Sequence, residues 1–320
     1  MNIQNINDLG ENNNNNNNEN NNNNSNNKNI SNNNENIGNI ENNQNNQFYL
    51  EEMNLDNPDE NFIEFLFPKN VYKLKTISFF LICVFITVYI IQLIAYYWFF
   101  KPNGYRWECI LFSFGALELR SIANHYQFFR IIIAMFAHNN FIHIFSNCFS
   151  IFLIGFYAEY ELQNSINYSL LFFISGIIGN FFSLLFSFKS ISVGSSGAIL
   201  GLSAYYLLYF IINWNGISGS MKCCVIIFFS IIFFNLFFGI TEGIKSIDIY
   251  SHIGGFMGGL AFSMFLTYRS QLLYRFNQAF IKLLYYLSIL FLIALPIISL
   301  ISIFLNEVSD TCQTICTNSI

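Results

Sequence analysis

From about residue 76 onward, long apolar runs alternate with short polar connections. Seven apolar segments follow one another, at Thr76–Phe100, 131–157, Ile166–Phe188, 194–214, Cys223–Ile240, 249–267 and Ala279–Phe304. Their lengths match the roughly 20 residues that a helix needs to cross a bilayer. Lipid offers no water to backbone groups, and continuous apolar runs lack the alternation of barrel strands, so the segments should be helices. The pattern predicts an all-α polytopic membrane bundle with seven transmembrane helices.

Polar stretches flank this membrane part, which we place at residues 66–305. Residues 1–65 contain a long asparagine tract, which cannot bury enough apolar surface to offset the entropy of ordering. We therefore predict a disordered Asn-rich N-terminal tail and, at 306–320, a short polar C-terminal tail. The opening MNIQNINDLG lacks the basic and apolar regions of a signal peptide.

Composition supports the membrane assignment and excludes other classes. The chain of 320 residues is 53% hydrophobic and only 10% charged, with a mean hydropathy of +0.41. The net charge of −5 arises largely from acidic residues in the N-terminal tail, so it indicates no nucleic-acid partner. No Cys/His cluster has zinc spacing, and we predict neither a metal nor a cofactor. Cys312 and Cys316 could form a local disulfide if their tail is lumenal.

Basic residues between the segments predict the orientation of the chain. Lysines precede the first segment, and basic residues also lie between the sixth and seventh, which places the N-terminal tail inside. They are Lys69, Lys73, Lys75, Arg269, Arg275 and Lys282, together with Lys222 between the fourth and fifth segments. The connection 101–130 is also basic and disagrees, but the other outer connections hold only Lys189 and Lys245. The C-terminus is then predicted outside, as are the starts of the second, fourth and sixth segments.

Ala137–Asn147 (AHNNFIHIFSN) is the first of three polar clusters in apolar surroundings. A polar side chain in a membrane segment is costly and needs a reason. His143 and Asn147 are four residues apart and share a helix face, with His138 nearer the helix mouth. Converging donors of this kind could stabilise an oxyanion. Taken alone, this cluster is better explained by interhelical hydrogen bonds.

The second cluster is GSSG, residues 194–197, at the head of the fourth segment. A serine on such a turn can be a helix N-cap or an exposed nucleophile beside free backbone N–H groups. Gly197 and Gly201 also form a G-x-x-x-G pattern, which is typical of close helix packing. The residues alone leave all three interpretations open.

The third cluster, DIYSHIGGFMGGL, places His252 at the head of the sixth segment. Gly255 and Gly259, like Gly254 and Gly258, form two overlapping G-x-x-x-G patterns. Close packing against the fourth segment would bring His252 beside Ser196, where a neutral imidazole is the base that a serine nucleophile needs. A single membrane histidine can also be structural or relay protons.

Taken together, these motifs resemble those of the rhomboid family of intramembrane serine proteases. GSSG resembles the family's G-x-S-G, which makes Ser196 the matching nucleophile, and His252 matches the catalytic base. His138, His143 and Asn147 match the family's H-x4-H-x3-N motif, whose last two members line the oxyanion hole. Further resemblances lie at YQFFR (126–130), GFYAE (155–159), SGIIGN (175–180) and Asp248. Ser195, Leu200 and Phe129 depart from the usual pattern without removing a catalytic group.

The resemblance implies an endopeptidase that cleaves single-pass transmembrane substrates near the surface of the lipid bilayer. The extra helix after a six-helix core is similar to the secretory-pathway class, which implies the secretory pathway or plasma membrane. An alternative is an inactive rhomboid-like protein that binds membrane clients in quality control or trafficking. A transporter is disfavoured because no internal repeat is evident.

Overall fold

The computed structural model describes residues 75–186, 191–216, 248–268 and 276–305, with residues 219, 222, 223, 225–227, 229, 230 and 273. The two predicted tails, the Cys312–Cys316 pair and most of the predicted fifth helix lie outside the described residues. Six helices within the described part are long and apolar enough to span a membrane. The fold is therefore a polytopic helical bundle.

The helices follow the order of the predicted segments. They are α1 (Ile77–Asn103), the short α2 (Trp107–Ser113), α3 (Leu119–His125) and α4 (Arg130–Ile133), then α5 (Phe141–Leu162), α6 (Ser165–Phe186), α7 (Ser196–Asn213), α8 (Ile249–Thr267) and α9 (Gln278–Leu305). Single π turns continue α1 after Ala95 and interrupt α5 at Ile151–Gly155. The sixth predicted segment, 249–267, coincides with α8.

The prediction for the second transmembrane helix was wrong at both ends. Residues 131–136 belong to α4 and a following 3-10 turn, and the spanning helix starts only at Phe141. Asn140 is extended, and its Oδ1 accepts a hydrogen bond from the His143 N–H at 2.8 Å. This N-cap starts a new helix inside the apolar run. His138 consequently lies in the extended stretch before α5 and not on the helix.

At its other end α5 continues to Leu162 because its last turns pack against α1. The Glu159 carboxylate is buried and accepts hydrogen bonds from Ile77 N and Ser78 N, both at 2.8 Å, and from Ser78 Oγ at 2.9 Å. These are orphan donors at the start of α1. The contact therefore fixes the beginning of α1 to the end of α5.

The predicted polar connection between the first two spans is itself folded. The Arg130 guanidinium is buried and donates to the carbonyl oxygens of Phe112 and Ala116, each at 2.9 Å. Leu117 and Ser192 exchange backbone hydrogen bonds of 2.8 and 3.0 Å. The connection is thereby tied to the turn that precedes α7.

The apolar core lies between α1, α5, α6 and α7. Phe85, Ile151, Tyr168, Phe172 and Leu200 are fully buried there. Helix α7 has the largest buried share of the six spans, whereas α1 and α9 expose most of their apolar side chains. Helix α7 is thus central, and α1 and α9 present the surface expected to meet lipid.

Candidate active site

Ser196 and His252 are in direct contact. Ser196 is the first residue of α7 and His252 lies in the first turn of α8, and Ser196 Oγ is 2.6 Å from His252 Nε2. Both side chains are largely buried, with 9% and 5% of their surfaces exposed. A hydroxyl hydrogen-bonded to an imidazole is the arrangement in which the imidazole can take the hydroxyl proton.

Glycine packing between α7 and α8 makes this contact possible. A Cβ atom on Gly255 would overlap the backbone of Gly197, and one on Gly259 would overlap the backbone of Gly201. The predicted seam between these helices is therefore confirmed. The second G-x-x-x-G pattern, Gly254 and Gly258, packs against α6 instead. Cβ atoms at these two positions would meet Phe182 and Ile178.

The turn before α7 directs the two serine hydroxyls differently. Gly194 has φ +111°, a conformation that side chains other than glycine rarely adopt. Ser195 occupies the N-cap position, yet its hydroxyl makes no capping hydrogen bond and is buried without a partner among the described residues. Ser196 instead contacts His252. The N-cap interpretation is therefore not supported for either hydroxyl.

His143 and Asn147 approach the same turn from α5. A Cβ atom on Gly194 would lie 2.6 Å from His143 Nε2 and 3.4 Å from Asn147 Nδ2. Asn147 is 1% exposed, and its Nδ2 has no hydrogen-bond partner among the described residues. Because a buried amide donor is costly to leave unpaired, this group is available for an acceptor that enters beside Ser196.

The model of the rhomboid domain matches residues 125–269, which include Ser196, His252 and the α5 donors. This part of the chain is therefore a rhomboid domain.

Curated relatives of this rhomboid chain bear different descriptions. It is 35% identical to "RHOMBOID-like protein 6, mitochondrial" of Arabidopsis thaliana, over 49% of this chain and 50% of that one. "Inactive RHOMBOID-like protein 8" of the same plant is 28% identical over 49% and 44%. "Rhomboid-like protease 5" of Toxoplasma gondii is 28% identical over 52% and 19%. The chain thus spans about half the length of the Arabidopsis relatives, and the descriptions include both a protease and an inactive protein.

His138 contacts His143 from the stretch that precedes α5. The imidazole is fully buried, with Nδ1 3.2 Å from the Phe136 carbonyl oxygen and its ring 5.3 Å from the His143 ring. Burial, with His143 as a smaller contribution, lowers the pKa of His138 well below its usual value. His138 is therefore a neutral group in contact with the His143 ring.

Asp248 makes structural contacts at the start of α8. Its carboxylate accepts from the Ser251 N–H at 3.1 Å, which is an N-cap bond, and from the Ser183 hydroxyl of α6. The carboxylate thus joins α8 to α6. This agrees with the family pattern, in which no acidic third member is required beside the serine and histidine.

Two further polar side chains near the site were not singled out individually from the sequence. Asn180 donates to the Ile131 carbonyl at 2.7 Å and accepts from Ser251 Oγ at 3.3 Å, so it links α4 to α8. Gln92 is a buried amide in α1. Both could have been found as amides inside otherwise apolar segments, which is the signal that identified Asn147. Among the described residues, no group of three or more His, Cys, Asp or Glu side chains is placed to hold a metal ion.

Proposed function

We propose that this rhomboid chain is an intramembrane serine endopeptidase that uses Ser196 and His252 as a dyad. The observation that carries the proposal is the 2.6 Å contact between Ser196 Oγ and His252 Nε2, beside a buried Asn147 amide donor that has no partner in the part of the chain that the structure describes. A nucleophile, a base and an oxyanion donor in one place are the groups needed for acyl transfer.

In the proposed reaction, Ser196 Oγ attacks a peptide carbonyl carbon while His252 Nε2 takes the hydroxyl proton. The carbonyl oxygen becomes an oxyanion that accepts hydrogen bonds from His143, Asn147 and the backbone N–H groups at the start of α7. His252 then gives the proton to the departing amine, and the C–N bond breaks. Water, deprotonated by His252, cleaves the acyl ester to release a carboxylate and restore Ser196.

The position of the dyad supports a substrate that is itself embedded in the membrane. Helix α7 has 18 residues and is therefore about 27 Å long, with Ser196 at its first position. His252 and His143 also lie in the first turns of spanning helices. We infer that cleavage occurs near one surface of the bilayer and that the substrates are single-pass transmembrane proteins.

The compartment is also a proposal, namely the secretory pathway or the plasma membrane. Cys109, in α2 of the first connection, is disulfide-bonded, whereas Cys83 and Cys148 in the spanning helices are free thiols. Disulfides persist in oxidising compartments and are rare in the cytosol. This supports a lumenal or extracellular position for the connection that carries Cys109.

A client-binding role without catalysis is the second candidate, favoured by the relative described as inactive. The endopeptidase and client-binding functions are distinguished by reconstituting the full chain and its Ser196→Ala variant in lipid vesicles with a panel of single-pass membrane proteins. We expect at least one protein to be cut by the wild type and left intact by Ser196→Ala. Binding of the panel by both forms with no cleavage by either would support the client-binding role instead.

A further inference from the structure

Gln92 is a polar residue in α1, and its neighbours in the sequence are largely apolar and exposed. Ile90, Ile91 and Ile94 are each about half exposed, whereas Gln92 is 0% exposed. An amide buried in a transmembrane helix is costly unless it has a partner or a function. The Gln92 side chain therefore points into the bundle, where its contacts must offset the cost of burying it.

The contact of Gln92 is His138, on the stretch that leads into α5. The His138 backbone N–H donates to Gln92 Oε1 at 3.3 Å. The other amide atom, Gln92 Nε2, is buried and has no partner among the described residues. Gln92 thus holds the extended stretch and retains one unused donor.

His138 offers the complementary atom. A carbonyl oxygen only accepts, so the His138 Nδ1 that contacts Phe136 O carries the ring hydrogen. Its Nε2 is then an acceptor, and this atom is also buried with no partner among the described residues. Two buried residues in contact thus carry one unused donor and one unused acceptor, which are groups that an ordered water can pair with.

The ring of His138 also contacts His143, which faces the serine turn. It lies between Phe85, with ring centroids 5.2 Å apart, and His143, at 5.3 Å in an edge-on arrangement. His143 Nε2 in turn faces Gly194, beside the serine turn. Gln92, His138, His143 and the serine turn are therefore joined by successive contacts.

We propose that Gln92 is a positioning residue for His143. Together with His138 it holds one buried water behind the oxyanion pocket, and this fixes the His138 ring so that His143 keeps its Nε2 directed at the serine turn. The inference rests on the proposed function, because it assigns His143 to oxyanion stabilisation.

The test is Gln92→Met, which keeps the length of the side chain and removes both amide atoms. The measurement is the rate at which a fluorophosphonate labels Ser196 in vesicles, and the matched control is Ile91→Met on the lipid-exposed face of α1. We expect the maximal labelling rate to fall about tenfold, part of the roughly 10²–10³-fold lost when an oxyanion donor is removed outright. The half-saturating probe concentration should stay unchanged, and Ile91→Met should label like the wild type.

A double-mutant cycle with His143→Ala separates positioning from general destabilisation. If Gln92 acts through His143, adding Gln92→Met to His143→Ala causes no further loss. An additive loss, or an unchanged rate for Gln92→Met alone, overturns the inference. Absence of labelling in the wild type would instead contradict the proposed function.

Gln92→Glu serves if Gln92→Met does not fold. It keeps the acceptor for the His138 N–H, and its carboxyl supplies a donor only when protonated. We expect its labelling rate, relative to the wild type at each pH, to rise as the pH is lowered. A ratio that does not change with pH would contradict the role of the amide donor.

Discussion

Asn147 shows how a single residue can be costly for the resting fold and useful for the reaction. Its Nδ2 is buried without a partner among the described residues, next to the turn that carries Ser196. Asn147→Leu replaces the amide by an apolar group of similar size. We expect the labelling or cleavage rate to fall by about 10²–10³-fold. The midpoint of thermal unfolding should stay the same or rise, because no hydrogen bond of Nδ2 is lost. A large loss of stability with little loss of rate would contradict the oxyanion role.

For Asp248 we predict the opposite, namely that its substitution lowers stability and leaves the labelling rate largely unchanged. Asp248→Ala removes the N-cap bond to Ser251 and the contact with Ser183, so we expect a loss of about 0.5–2 kcal/mol in stability. The folded fraction should keep most of its Ser196 labelling rate. Thermal unfolding and labelling of the same sample give both values. Full stability with a rate as low as that of His252→Ala would make Asp248 a third member of the catalytic group.

At the scale of elements, the glycine seam between α7 and α8 sets the distance between Ser196 and His252. Gly255→Ala places a methyl group against the Gly197 backbone, which cannot yield as a flexible side chain would. Overpacking of this kind costs about 1–3 kcal/mol and should push the helices apart, so stability and labelling rate fall together. Gly219→Ala is the matched control, because a Cβ there meets nothing within 4 Å. Equal stability and equal labelling rates for Gly255→Ala and Gly219→Ala would contradict the proposed role of the glycine seam.

How far the sequence predicts these elements depends on what ends each helix. The sixth and seventh segments were located within one residue because polar residues bound each apolar run. The second was misplaced because Asn140 starts a helix inside an apolar run, and a cap depends on side-chain geometry more than on hydrophobicity. The folding of the first connection could not be predicted either, since Arg130 finds its carbonyl partners 14 and 18 residues away.

In the candidate site too, the sequence predicts some features and misses others. Motif spacing indicated Ser196, His252, His143 and Asn147, and the structure brings all four to one turn. Spacing also assigned His138 to this group as a supporting residue, and the structure places it in contact with His143 and Gln92. Its position follows from the tertiary contact between α1 and the stretch before α5, which no local pattern encodes.

At the scale of the whole molecule, the contacts place the starts of α5, α7 and α8 together, as predicted. The side of the membrane they occupy is still a prediction, and Cys109 offers a test. When the chain is denatured without reductant, we expect Cys109 to resist alkylation and to react only after reduction, because it is disulfide-bonded. Mass spectrometry of the alkylated peptides measures this, with Cys83 and Cys148 as reactive thiol controls. Complete alkylation of Cys109 before reduction would contradict an oxidising environment.

The central claim is that Ser196 is activated by His252 within the folded membrane bundle. It is tested most directly by fluorophosphonate labelling of the full chain in vesicles, with Ser195→Ala as the matched control for Ser196→Ala. We predict labelling of the wild type and of Ser195→Ala, and none of Ser196→Ala or His252→Ala, with the wild type and all three variants folded. Labelling that survives in Ser196→Ala or His252→Ala, or that is absent from the wild type, would contradict the account.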